Sequence, residues 1–174
     1  MEHTTNKGTY LLILHVATPL QQLRVGRLGT FDVATGYYVY VGSAFGAGGL
    51  PARLANHQQR HKARPHWHID YLRAVAHLYE IWAVFYPRPL EVEWCQSLRQ
   101  LPNLHMPITG FGASDTRQPA HLFYLSVPPT PGLICRALLR DMYLADSVDA
   151  FTIDITRFPP DNTNLIEELS NPSE

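Results

Sequence analysis

Arg53 and His57 stand four residues apart in GGLPARLANH, a spacing that puts both on one side of a helix. An arginine can hold a phosphate through two parallel hydrogen bonds. A histidine beside it can relay a proton or bind a metal. Arg60 and His61 continue that side, and Leu50 and Leu54 mark the neighbouring apolar side. The helix opens a basic run, residues 53–73, with five Lys or Arg, four His and one Asp. Such a patch beside a site implies an anionic partner, nucleic acid above all. Taken alone it also suits a solvated helix face, and both readings stay open here.

The stretch before the helix is GYYVYVGSAFGAGG, a strand running into a glycine-rich bend. A nucleotide loop is the first idea to test. GxGxxG cannot be fitted across residues 42–53 and no GK[ST] follows, so neither phosphate-binding fingerprint is present. The glycines read as a tight strand-to-helix turn, with close backbone approach to a phosphate as the alternative. Further on, HWHID offers His66, His68 and Asp70. H-x-H converges only on an extended segment, and no paired cysteines accompany it, so a structural or phosphate-facing role is preferred to a metal site. Trp67 between them belongs to the core or stacks on a base. Ser114, Asp115 and His121 suggest a hydrolytic triad, but no G-x-S-x-G elbow goes with them, and a helix cap by Ser or Asp is the better reading.

These residues need elements to carry them. The periodicity predicts strands at 9–16, around 23–31 and at 36–42, then a helix from Pro51 to about residue 61. A second helix or helical turn follows at 66–77, a strand at 78–86, a helix at 89–100, a strand at 121–127, and a helix at 133–145 after the break VPPTPG. The expected fold is α+β: a small, mainly antiparallel sheet flanked by helices. The expected division is a domain over 8–126 and a helical, acidic extension over 127–174. Residues 1–90 carry a charge of +5 and residues 91–174 a charge of −6; from Asp141 on there are eight acidic residues and one arginine. No run reaches 18 apolar residues and the N-terminus lacks a signal pattern, so a cytoplasmic location with no membrane span is expected, with Cys95 and Cys135 as reduced thiols.

Gly8-Thr9-Tyr10 and Tyr40-Val41-Gly42 resemble the two halves of the GIY-YIG nuclease signature. Ser43, then Leu50-Pro51-Ala52-Arg53 and His57, are similar to that family's helix pattern. The whole stretch from Gly8 to Tyr124 more closely resembles an uncharacterised GIY-YIG-like family, some of whose members are fused to DNA-repair glycosylases of the endonuclease III type. GTYLL, VGRLGTF, GYYVYVGSA, HWHIDYL, FGASD and HLFY carry the likeness. Two features depart from the signature. Thr9 occupies its middle position, and 29 residues, including VGRLGTF, separate Tyr10 from Tyr40.

The resemblance implies hydrolysis of DNA phosphodiesters with one divalent metal, Mg²⁺ or Mn²⁺. It assigns catalysis to Tyr10, Tyr40, Arg53 and His57, and the metal to a glutamate on a later helix. Phosphodiester hydrolysis needs an activated water, a cation for the developing charge and a metal on the oxygens, so the set is chemically sensible. Of Glu91 and Glu93, Glu91 lies nearer the apolar stripe of Leu90, Trp94 and Leu98 and fits the family pattern better. Gly42, Ser43, Arg60, His61, Lys62, Arg64, His66 and His68 are the expected nucleic-acid contacts. The rival readings are a nucleic-acid-binding module without catalysis and a protein-interaction domain whose acidic tail meets a partner.

Overall fold

A computed structural model describes residues 6–145 and 152–159. Its strands are β1 (Gly8–Val16), β2 (Leu20–Val25), β3 (Gly29–Val33), β4 (Gly36–Ala44), β5 (His77–Phe85), β6 (Leu122–Leu125) and β7 (Asp154–Arg157). Its helices are α1 (Gly49–Gln58), α2 (His68–Val75), α3 (Glu91–Arg99) and α4 (Pro131–Ala145). Five strands form one antiparallel sheet in the order β6-β4-β1-β5-β7. The fold is α+β, as the sequence implies.

The central strand explains the layering. Every residue of β1 except His15 is buried, because both of its faces are covered. On one face Tyr10, Leu12 and Leu14 join Tyr38 and Tyr40 of β4, under Leu50 of α1 and Ile69 and Leu72 of α2. On the other, Leu11 and Ile13 join Val39, Val41 and Trp82, under Trp94 and Leu98 of α3 and Ile134 and Leu138 of α4. A strand buried on both sides reads as a continuous apolar run, and LLIL is that run.

Several boundaries differ from expectation for physical reasons. The stretch around 23–31 is a hairpin, β2 with β3, forming its own two-stranded sheet. Gly26, at φ 49°, makes its turn. This hairpin fills the long interval between Tyr10 and Tyr40 without separating their strands. α2 starts at His68 because Asp70 turns back on the preceding chain: its Oδ2 accepts the backbone N–H groups of His66 and Trp67 at 2.9 and 3.1 Å. The expected cap at Ser114 or Asp115 has no helix to serve, since residues 110–119 form successive turns and bends.

The stretch from 127 on is more than an appendage in its described parts. α4 buries Ile134 and Leu138 in the second core, and β7 is an edge strand hydrogen-bonded to β5. Most of the acidic tail lies outside the described residues. Among the described residues no helix is long and apolar enough to cross a membrane. Cys95 is buried and Cys135 half-buried, both as free thiols. Burial pushes the Cys95 thiol up to about 12, so it is no nucleophile.

Candidate active site

Tyr10 pairs with Gly42 in the β1–β4 ladder, and Leu12 with Tyr40. The two tyrosines are therefore diagonal neighbours on one face of the sheet. Gly42 is what lets Tyr10 lie flat there. A Cβ at position 42 would stand 2.5 Å from Cζ and Oη of the Tyr10 ring. Beyond β4, the chain turns through Gly48 and Gly49, whose φ of 81° and 59° disfavour any residue with a side chain. The Leu50 N–H then donates to the Asn6 carbonyl at 2.7 Å, docking α1 beside the end of β1.

The glycine bend delivers Arg53 to a cavity of about 350 Å³. Tyr10, Tyr40, Gly42, Ser43 and Glu91 line it with Arg53, and Trp67, Gly112, Asp115, Thr116 and His121 close it. Six of the sequence candidates thus meet in one concavity, drawn from β1, β4, α1 and α3. Glu91 is on the first turn of α3, and Thr9 holds that turn in place. The Leu90 N–H donates to Thr9 Oγ1 at 2.9 Å in the buried interior. Thr9, at the middle position of the tripeptide, is thus a brace between central strand and carboxylate helix. Glu93, by contrast, pairs with Arg88 at 2.5 Å at a part-exposed position.

His57 does not line the cavity. It lies buried behind Tyr10, with Nε2 and the Tyr10 hydroxyl 2.8 Å apart. Its Nδ1 is buried and has no hydrogen-bond partner. Burial pushes the imidazole down to about 3, and the nearby Lys62 ammonium adds to that. The ring is therefore neutral at physiological pH. Burial raises the Tyr10 hydroxyl well above its ordinary value; Tyr40 and Glu91 push it further up and Arg53 opposes them. Tyr40 is raised by burial and then by Glu91, again against Arg53. Both phenols hold their protons, and Arg53 is the cation facing them.

The basic run sorts into two groups once its partners are visible. Lys62 is bound to Asp70 Oδ1 at 2.5 Å and Arg60 donates to the Ala74 carbonyl at 3.3 Å. Arg73 is buried and donates to the carbonyls of His57, Gln58 and Ala76, pinning the end of α1 to α2. His68 Nδ1 accepts the Gly112 N–H at 3.0 Å, so its place is to hold the loop that closes the cavity. Burial lowers its pKa. Burial raises Asp70, but the Lys62 and backbone hydrogen bonds outweigh it and the carboxyl sits below its usual value. His61, Arg64 and His66 are exposed. Arg60, Lys62 and His68, expected as phosphate contacts, each make a hydrogen bond within the fold.

Two smaller cavities adjoin the first. One of about 210 Å³ shares Tyr40, Trp67, Gly112 and Asp115 with it and reaches His66 and His68. One of about 220 Å³ shares Arg53 and Trp67 and runs along the glycine bend. A larger cavity of about 800 Å³ lies along α4, with Leu101, Leu133, Cys135, Arg136, Leu139 and Arg140 in its wall, and among the described residues neither histidine nor carboxylate lines it. The loop residues Gly112, Asp115, Thr116 and His121 were not expected to share the site. They come from a segment without periodicity, and only the phrase FGASD signalled it. Thr116 Oγ1 and His121 Nε2 lie 2.9 Å apart and join the two ends of that loop.

As to a metal, no group of three or more His, Cys, Asp or Glu gathers among the described residues in a way that could hold an ion. Glu91 and Asp115 each present a carboxylate at the cavity wall. That donor set fits an ion such as Mg²⁺, which keeps most of its shell as water and substrate oxygen, and does not fit zinc.

Residues 9–143 match the model of a family described as a domain of unknown function, DUF123. No curated protein matches the chain, and no solved structure does.

Proposed function

The chain belongs to that family, and we propose that it is a metal-dependent nuclease acting on DNA phosphodiesters in the cytoplasm. The observation that carries the reading is the meeting of Tyr10, Tyr40, Arg53 and Glu91 around one cavity. Arg53 takes two non-bridging phosphate oxygens and meets the charge that develops on them. The attacking water hydrogen-bonds to the Tyr10 oxygen. As its oxygen bonds to phosphorus and the bond to the leaving oxygen breaks, the proton it gives up ends on that leaving oxygen. His57 Nε2, 2.8 Å from the phenol oxygen, holds Tyr10 in the orientation that leaves a lone pair for the water. Tyr40 orients the water from the adjacent strand. Glu91 holds Mg²⁺ or Mn²⁺, which when bound polarises the phosphate oxygens.

The test is incubation of the purified protein with single-stranded, flapped, branched and damaged DNA, with Mg²⁺ or Mn²⁺. Cleavage is expected, reduced by about 10²–10³ in Arg53→Ala, by analogy with loss of one charge-stabilising donor. Glu91→Gln abolishes the metal-dependent activity and Glu93→Gln retains it. No cleavage by the wild type, or equal cleavage by Arg53→Ala, refutes the reading.

A further inference from the structure

Trp67 is the one residue that lines all three adjoining cavities. It is only half-buried, whereas the other two tryptophans, Trp82 and Trp94, are 0 % exposed. The Arg53 guanidinium lies over its ring, 4.3 Å from the centroid. The Lys62 ammonium is 5.6 Å away, fixed there by Asp70. An aromatic ring at the junction of three small hollows, with the Arg53 guanidinium beside it, is placed to take a planar group flanked by phosphates.

We propose that Trp67 is a stacking platform for one unpaired base, and that the substrate strand enters this site single-stranded. The inference deepens the nuclease reading by naming the substrate class. In a duplex the base faces are stacked on one another and have none to offer the ring; an unpaired base has two free faces. The three hollows of about 350, 220 and 210 Å³ meet at this ring, which gives a base on it and its flanking phosphates adjoining places. Arg53 links the two events. When its guanidinium turns to a phosphate, it uncovers the face on which the base settles. The same residue that meets the phosphate thereby admits the base.

The experiment follows tryptophan fluorescence of the full chain in EDTA as it is titrated with an unstructured single-stranded oligodeoxynucleotide, and with the same sequence as a blunt duplex. Since Trp82 and Trp94 are sealed from solvent, quenching by a stacked base reports Trp67. Saturable quenching by the single strand and little by the duplex is expected. Read by the anisotropy of an end-labelled strand, since these variants lack the reporting indole, Trp67→Phe keeps single-strand affinity within a few-fold, and Trp67→Ala weakens it by about tenfold or more. The absence of quenching by the single strand, equal quenching by the duplex, or equal affinity of the Phe and Ala variants overturns the proposal. Cleavage is scored separately with metal. Quenching without cleavage supports the platform and refutes the nuclease; cleavage of blunt duplex without quenching does the reverse.

Discussion

Thr9→Val isolates the brace between the central strand and the carboxylate helix. Valine has nearly the shape of threonine, so the site loses an acceptor and little volume. The Leu90 N–H, 2.9 Å from Thr9 Oγ1 in the wild type, is then left without its partner in a buried position. Thr9 is 0 % exposed, and water has no ready path to replace the hydroxyl. Stranding a buried donor costs about 1–3 kcal/mol. With a urea m-value of about 2 kcal/mol/M, a loss of about 2 kcal/mol lowers the midpoint by about 1 M. Thr9→Ser restores the acceptor and recovers most of the loss, since only a methyl is missing. The functional consequence is separate from the stability one. With the start of α3 released, Glu91 no longer has a fixed place on the cavity wall, and the Mn²⁺ concentration giving half-maximal cleavage rises in Thr9→Val and returns in Thr9→Ser. If the Val variant melts in urea at the same midpoint as the Ser variant and the wild type, the hydrogen bond does not hold the helix and the reasoning fails.

Two more outcomes follow from the same interior. His57 is held at about 3 in the folded chain against 6.5 for the free side chain, so the unfolded state takes up a proton that the folded state refuses. Stability from this group is complete above pH 6.5 and is lost as pH falls toward 3; urea melts at pH 7, 5.5 and 4.5 should show His57→Gln losing less than the wild type, by up to about 1.4 kcal/mol per pH unit. Parallel stability curves for the two proteins would rule this out. Gly42→Ala forces the Tyr10 ring to give by about 1 Å to reach normal carbon contact. That breaks its 2.8 Å bond to His57 and costs about 1–3 kcal/mol of overpacking. Thermal unfolding checks it at about 2–4 °C per kcal/mol, and an unchanged Tm refutes the steric account.

How much of this was legible in the sequence depends on whether a residue's meaning is local. The central strands were legible because LLIL and YYVYV carry burial in their own composition. β7 was not: DITR is a polar edge, exposed or half-exposed throughout, and only its pairing to β5 makes it a strand. The hairpin was compressed into one strand because its turn glycine sits inside an otherwise strand-like run. Glu91 was set apart from Glu93 by helical geometry together with the family pattern. The basic run was legible as charge but not as function, since nothing in a string of Lys, Arg and His says that Asp70 holds one and three backbone carbonyls hold another. Trp67 was visible as a choice between core and surface. Its place between three hollows depends on Arg53, fourteen residues earlier, and on the loop around Gly112.

The first three residues of β1 each fasten a different distant part of the chain. Gly8 leaves room for Leu50, Thr9 holds Leu90, and Tyr10 meets His57. The two hydrogen bonds span 81 and 47 positions of sequence. Such a site has no half-built form. A nascent chain that has made both tyrosines and the arginine, but not yet α3, lacks Glu91 and the cavity wall it forms. On the proposed reading, competence arrives only with α3 and is lost when the sheet that carries the tyrosines unfolds.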